Sequence, residues 1–145
     1  MIPQMTPEEA ARTLASDADS VYLDVRTVPE YEAGHPAGAY NIPIIFLDEA
    51  THQPAPNREF ARVVEATFAK AAKIIVGCQA GSRSQKAAEV MHSLGFTDVT
   101  NMQAGFGGAR DGLGRVVEPG WRDLGLPVES GSSPNAGWDT LRQRS

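Results

Sequence analysis

The stretch KIIVGCQAGSRS, residues 73–84, decides the fold of this 145-residue chain. Its first part, residues 73–77, is the most apolar run of the sequence, and such runs are typical of central strands in parallel sheets. Cys78 follows directly, and the apolar spacing of residues 84–94 then predicts a helix. Ligands of parallel sheets gather beyond the carboxyl ends of the strands, so this strand–loop–helix unit is also the candidate functional site.

Helices and strands alternate on both sides of this unit. Thr6 and Glu9 have the spacing of a capping box, with Pro7 at the first helical position, and predict a helix start. Asn57 is the expected cap of another helix. The remaining predicted elements are strands at 21–25 and 98–102, a helix at 58–69 and a short helix at 121–124. The pattern predicts an α/β fold with a central, mainly parallel sheet flanked by helices on both faces.

The length suits one domain, which we assign to residues 1–129. The following segment begins with Ser, Gly and Pro residues and lacks apolar periodicity. Residues 130–145 are therefore expected to form a flexible C-terminal tail.

Composition excludes several classes of partner and site. The net charge of −5 gives no basic field that would attract nucleic acid or an anionic membrane. The chain has one cysteine, so an internal disulfide and a zinc site built from several thiolates are both ruled out. The sequence contains no cluster of metal-ligating residues. It also contains no signal peptide and no run of about 18 apolar residues, so a reducing cytoplasm is the default expectation.

The surroundings of Cys78 favour a reactive thiolate. The N-terminus of the following helix directs its N–H groups and its positive dipole end at the loop. Gly81 permits a backbone conformation in which successive N–H groups converge on an anion, and Arg83 adds a positive charge. Free cysteines are also common as small buried hydrophobic residues, which is the structural alternative for Cys78. The combination of glycine, arginine and helix start favours reactivity.

Four segments resemble the rhodanese family. Cys78 and its loop match the pattern Cys-x-x-Gly-x-Arg-Ser, and Leu23-Asp24-Val25-Arg26 is similar to the family's first-strand motif. Residues 30–43 resemble its Gly-His-Ile-x-Gly-Ala-x-Asn-Ile-Pro segment, and residues 105–108 its glycine-rich stretch. The chain departs from the family at Pro36, where Ile is usual, and in a longer stretch at 109–120.

The resemblance implies that Cys78 is a sulfur carrier and that Arg83 assists it, with no cofactor and no metal. It also implies that the loop residues surround the sulfur and the substrate; they are Gln79, Ala80, Gly81, Ser82 and Ser84. The expected reaction is a double displacement that transfers sulfur from a donor such as thiosulfate to an acceptor, which is cyanide in an assay or a thiol in the cell. The alternative is a sulfur-relay module that serves a sulfur-donating or sulfur-accepting protein.

Loop length separates this family from phosphatases of related architecture. Tyrosine phosphatases and Cdc25-type phosphatases have five residues between the cysteine and the arginine, whereas four separate Cys78 from Arg83. The shorter loop suits a single sulfur atom better than a tetrahedral phosphate.

Three further residues have mainly structural interpretations. Asp24 lies at a strand end and needs partners there. Arg26 is expected to pair with Glu30 or Glu32 and so hold the following loop. His35 is expected to hydrogen-bond to backbone in that loop rather than to act as a base.

Overall fold

A computed structural model of the chain describes residues 1–145. The five helices are α1 (Pro7–Ser16), α2 (Val28–Ala33), α3 (Phe60–Thr67), α4 (Ser82–Ser93) and α5 (Trp138–Gln143). The strands of the first half are β1 (Gln4–Met5), β2 (Ser20–Asp24), β3 (His35–Pro36), β4 (Tyr40–Asn41), β5 (Ile45–Leu47) and β6 (Pro54–Pro56). Those of the second half are β7 (Lys73–Gly77), β8 (Val99–Met102), β9 (Ala109–Arg110), β10 (Val116–Glu118) and β11 (Val128–Glu129).

A five-stranded sheet in the order β1-β8-β7-β2-β4 organises the chain. All of its strand pairs are parallel, and β7 lies in the middle, with β2 on one side and β8 on the other. The apolar run at residues 73–77 is therefore the central strand, as the sequence predicts. Three antiparallel pairs, β3–β11, β5–β6 and β9–β10, lie outside the sheet.

The sheet is covered by helices on both faces, which confirms the predicted fold class. Alternate residues of β7 point to opposite faces: Ile74 and Val76 belong to the larger buried cluster, and Ile75 to the smaller. The larger cluster packs α3, α4 and α5 against the sheet, and the smaller packs α1 and α2. Each face is thus a separate hydrophobic layer with its own helices.

Helix starts follow the predicted chemistry, with shifts of a few residues. At α1, the Thr6 side chain accepts from the Glu9 N–H and the Glu9 carboxylate accepts from the Thr6 N–H, which confirms the capping box. The α3 N-cap is Glu59 instead of Asn57. Asn57 holds the preceding turn, because its amide donates to the Pro43 carbonyl and its Oδ1 accepts from the Glu59 N–H. Residues 121–125 form turns, where a short helix was expected.

The C-terminal segment differs from the flexible tail expected for residues 130–145. Residues 138–143 form α5, in which Trp138 is 6% exposed and Leu141 is 4% exposed. Both side chains belong to the larger core, where the Trp138 ring lies 5.9 Å from that of Phe46. These two buried apolar side chains pack α5 against α3 and the sheet, so the C-terminal segment is ordered.

The two departures from the family pattern lie in the small antiparallel pairs. The longer stretch at 109–120 forms the hairpin β9–β10, whose tip exposes Leu113. Pro36 pairs with Val128 of β11, and the neighbouring Ala37 N–H donates to the Pro127 carbonyl. Neither departure interrupts the central sheet. None of the five helices has the length and apolar character needed to cross a membrane.

We predict that Trp138→Ala destabilises the fold substantially, because it empties a buried site in the larger core. Truncation of a buried Trp costs about 3–5 kcal/mol of unfolding free energy. Chemical denaturation monitored by far-UV circular dichroism measures the change. Gln143→Ala, on the exposed side of the same helix, is the matched control and should change stability little. Equal stability of both variants would contradict the packing of α5 described above.

Candidate active site

The candidate site lies where β7 ends and α4 begins, at the carboxyl edge of the sheet. Cys78 immediately follows β7, and four residues later the chain is already helical. Gly81 is the N-cap of α4 and has φ +109°, a left-handed conformation that a side chain would strain. This conformation turns the backbone sharply enough for the loop to fold over the Cys78 sulfur.

The Cys78 sulfur is buried, accepts a hydrogen bond from the Gly81 N–H and lies close to the Ser84 hydroxyl. The side chain is 1% exposed. The Gly81 N–H donates to Sγ at 3.0 Å, and the Ser84 hydroxyl lies 3.3 Å from it. Both groups come from the loop and from the first turn of α4, so the sulfur sits at the positive end of that helix. The Gly81 N–H and the positive end of α4 both place partial positive charge beside the sulfur.

The loop also carries a set of backbone N–H groups with no acceptor inside the protein. Apart from the N–H of Gly81, none of the amides between Cys78 and the first turn of α4 makes a hydrogen bond to protein. The free amides belong to Gln79, Ala80, Ser82, Arg83 and Ser84. Unpaired N–H groups at a helix start form a binding site for an anion. These amides and that of Gly81 belong to the six residues that follow Cys78 in the chain.

Two polar side chains in series, those of Asn101 and Gln4, position the Ser84 hydroxyl. Ser84 Oγ lies 2.6 Å from Asn101 Oδ1 on β8, closer than it lies to the sulfur. The Asn101 amide donates to Gln4 Oε1 on β1 at 2.9 Å, which fixes its orientation. Because a hydroxyl has one proton, Asn101 and the Cys78 sulfur compete for it.

Arg83 forms an ion pair with Glu30 on α2 and makes no hydrogen bond to the sulfur. Its Nη1 and Nη2 donate to the two carboxylate oxygens at 2.7 and 3.0 Å. Burial would raise the pKa of Glu30, but the hydrogen bonds and charge of Arg83, with bonds from Thr27, lower it to about 2. The same hydrogen bonds to Glu30 raise the pKa of Arg83. Arg83 therefore braces the loop against α2.

Arg26 pairs with Asp24, and the expected pairing with Glu30 or Glu32 is wrong. Arg26 Nε and Nη2 donate to the Asp24 carboxylate at 2.8–3.1 Å, and both side chains are buried. Burial raises the pKa of the Asp24 carboxyl, against the opposing hydrogen bonds from Arg26. Arg26 Nη1 also donates to Gln79 Oε1, so this ion pair contacts the cysteine loop directly.

The glycine-rich stretch 105–108 packs against the cysteine loop through backbone hydrogen bonds. The Phe106 N–H donates to the Cys78 carbonyl at 2.8 Å, and the Gly107 N–H donates to the Gln79 carbonyl at 2.9 Å. A Cβ at Gly105 would lie 2.6 Å from the Cys78 carbonyl oxygen, so only glycine permits this approach. The stretch therefore acts through its backbone.

His35 is buried beside α2 and away from the sulfur. Its Nδ1 lies 2.6 Å from the Tyr31 carbonyl, and its ring stacks on that of Tyr31 at 3.7 Å. This confirms the expected backbone hydrogen bond.

The sequence reasoning missed three residues that touch the site. Glu30 is the partner of Arg83, and Asn101 and Gln4 orient Ser84. Only Asn101 had a sequence signal, as an amide side chain within a predicted strand. No group of three or more His, Cys, Asp or Glu side chains is arranged to hold a metal ion.

We predict that Ser84→Ala slows alkylation of Cys78 by iodoacetamide at neutral pH. The variant loses the hydroxyl 3.3 Å from the sulfur, and the net loss of one hydrogen bond corresponds to a roughly two- to tenfold slower reaction. Ser93→Ala, at the far end of α4, is the control and should alkylate at the wild-type rate. An unchanged rate in Ser84→Ala would show that Asn101 retains the hydroxyl proton throughout.

We predict that Glu30 titrates near pH 2 in the folded protein and at higher pH in Arg83→Gln. Because its pKa lies below the ordinary value of 4.5, the ion pair stabilises the fold fully above that value. This contribution is lost as the pH falls from 4.5 towards 2. Carbon-13 NMR of the Glu30 carboxyl measures the midpoint. Arg62→Gln, which breaks an exposed pair with Glu59, should leave it unchanged; equal midpoints in wild type and Arg83→Gln would refute the pairing.

Comparison with known proteins agrees with this geometry. The model of the family described as Rhodanese-like domain matches residues 6–110. "Thiosulfate sulfurtransferase 16, chloroplastic" of Arabidopsis thaliana is 37% identical over 111 residues, which cover 74% of this chain and 91% of that protein. "Senescence-associated protein DIN1" of Raphanus sativus is 37% identical over 128 residues, covering 88% of this chain but 62% of the radish protein.

A solved structure also superposes on this chain. The crystal structure of Rv0390 from M. tuberculosis superposes with a TM-score of 0.74 at 27% identity, covering 89% of this chain and 98% of that one. The family match extends over most of the chain and includes the cysteine loop. This protein belongs to the rhodanese-like domain family.

Proposed function

We propose that the protein is a sulfurtransferase in which Cys78 carries sulfane sulfur as a persulfide. The observation that carries the proposal is a buried sulfur that accepts from the Gly81 N–H, in a loop where five further amides have no acceptor in the protein. A thiolate and a persulfide are both anions, and the second sulfur of the persulfide needs donors of its own. The name of the Arabidopsis relative, a thiosulfate sulfurtransferase, supports the same chemistry.

The first half-reaction takes sulfur from a donor such as thiosulfate. The Cys78 thiolate attacks the outer sulfur of thiosulfate, a bond forms between the two sulfur atoms, and the bond to the sulfonate sulfur breaks. Sulfite leaves with the electron pair, and the negative charge passes to the outer sulfur of the persulfide. The amides of the loop and the dipole of α4 stabilise this charge. Written from the thiolate, this step includes no proton transfer.

The second half-reaction returns Cys78 to its thiolate. A thiophilic acceptor, cyanide in an assay or a thiol in the cell, attacks the outer sulfur, and the electron pair of the breaking S–S bond goes to Sγ. The chain has one cysteine, so the acceptor must come from another molecule. The single thiol also favours a reducing compartment, either the cytoplasm or a plastid such as the Arabidopsis relative's name indicates.

Arg83 acts in this proposal as a positioning residue. Its guanidinium is committed to Glu30, so it holds the loop amides in place and supplies little uncompensated charge to the sulfur. The spacing of four residues between Cys78 and Arg83 supports sulfur chemistry over phosphate chemistry.

The second candidate is a sulfur-relay module that exchanges sulfur with a protein partner. The lone buried cysteine serves it equally well, because the persulfide must be handed to another molecule in either case. Turnover with thiosulfate and cyanide, compared with loading from a cysteine desulfurase persulfide, separates the two. Rapid turnover with the small molecules favours the enzyme, and loading only from the protein favours the relay.

We predict that incubation with thiosulfate adds one sulfur atom to the wild-type protein, and that subsequent cyanide removes it. Intact-protein mass spectrometry measures both steps. Cys78→Ser should show neither step, because it lacks the only thiol, while its circular dichroism spectrum stays native. Sulfur transfer by Cys78→Ser would disprove the proposed mechanism.

A further inference from the structure

An open cavity of about 420 Å³ lies beside the cysteine loop. Its wall includes Gln79, the residue after Cys78, together with the ring of Phe106 and the side chains of Arg26 and Arg122. A cavity of this volume is large enough for a small organic molecule. Cys78 itself is not part of the wall, so a molecule bound there would approach the sulfur from the side of Gln79.

Backbone hydrogen bonds fix the position of Arg122 relative to the sulfur-bearing residue. The Phe106 N–H donates to the Cys78 carbonyl at 2.8 Å, and the Arg122 N–H donates to the Phe106 carbonyl at 3.0 Å. The Arg122 guanidinium lies 5.6 Å from the centre of the Phe106 ring, a cation–π contact. Two successive hydrogen bonds thus connect Arg122 to Cys78.

Arg122 carries the one uncompensated charge of the cavity. The Arg26 guanidinium pairs with Asp24, and Glu30 pairs with Arg83. Arg122 has no carboxylate within ion-pair distance, whereas Arg26, the other arginine of the wall, has one. A guanidinium presents its donors in a planar fork that matches a carboxylate.

We propose that Arg122 binds the carboxylate of a low-molecular-weight thiol that accepts sulfur from the Cys78 persulfide. This inference rests on the proposed sulfurtransferase function and names the class of its acceptor. The thiolate of the acceptor attacks the outer sulfur of the persulfide and forms a new S–S bond. The bond between that sulfur and Sγ breaks, and Cys78 leaves as a thiolate. The acceptor becomes a persulfide, so charge and sulfur are balanced without an oxidant or reductant.

The geometry favours the acceptor over the donor as the ligand of Arg122. Thiosulfate is a compact anion, and the loop amides around the sulfur offer it donors directly. Of the residues with free amides, only Gln79 lines the cavity, which is larger than thiosulfate requires. An organic acceptor needs space for its carbon chain and a second contact remote from its sulfur, and the cavity provides both.

The test measures discharge of the preformed persulfide by two thiols of similar size. One is 3-mercaptopropionate, which carries a carboxylate, and the other is 2-mercaptoethanol, which is neutral. Arg122→Gln should lower the ratio of their second-order rate constants by up to about fivefold, the upper end of the range for an exposed ion pair. Arg122→Lys should keep most of the ratio, and raised salt should reduce the wild-type ratio.

Arg115→Gln is the matched control. Arg115 is 73% exposed on the hairpin β9–β10 and pairs with Asp111 outside the cavity. An equal fall in the ratio for this variant, or no fall for Arg122→Gln, would overturn the inference. Slower persulfide formation from thiosulfate in Arg122→Gln, with an unchanged ratio, would assign the guanidinium to the donor instead.

These outcomes separate the inference from the function on which it rests. If the wild-type protein forms no persulfide with thiosulfate or with a desulfurase, both are wrong. If the persulfide forms and the two thiols discharge it with the same ratio in every variant, the function stands and only the role of Arg122 is refuted.

Discussion

The buried ion pair between Asp24 and Arg26 is the interaction on which the arrangement of the site depends. Arg26 donates to Asp24 at the end of β2, to the Gly34 carbonyl after α2 and to Gln79 in the cysteine loop. Its guanidinium also lies 4.5 Å from the centre of the Phe106 ring. A buried guanidinium must satisfy its donors, and here each partner comes from a different segment. One side chain therefore sets the relative positions of four segments that surround the sulfur.

Side-chain charges around the loop largely cancel, which leaves the backbone to stabilise the anion. Asp24 neutralises Arg26, and Glu30 neutralises Arg83. The remaining stabilisation comes from N–H groups and the dipole of α4, whose positions are set by the backbone itself. Oriented dipoles of this kind need no reorganisation when charge moves from Sγ to a second sulfur atom. In the proposed reaction, donors that are already in place would meet the charge as it moves to the outer sulfur of the persulfide.

The sequence predicted what depends on local spacing and missed what depends on distant pairing. The unit of β7, Cys78 and α4 is contiguous, so apolar runs, a glycine and a helix start were enough to identify it. The partner of Arg83 is 53 residues away, and no spacing rule connects Arg83 with Glu30. The same limit applies to Asn101 and Ser84, which meet only because β8 lies beside β7. Helix α5 was missed because its two buried anchors are too few to produce a periodic pattern, although the core holds them firmly.

The C-terminal segment also covers one edge strand of the central sheet. Exposed edge strands can pair with strands of other molecules, so proteins shorten or cover them. Here β4 is two residues long, and the Asn41 N–H on its outer side donates to the Ala136 carbonyl at 2.8 Å. At the opposite edge, β1 is equally short and follows Pro3, which has no N–H to offer. By covering one margin with its own C-terminal residues, the chain limits strand addition between copies and so protects itself against edge-to-edge aggregation.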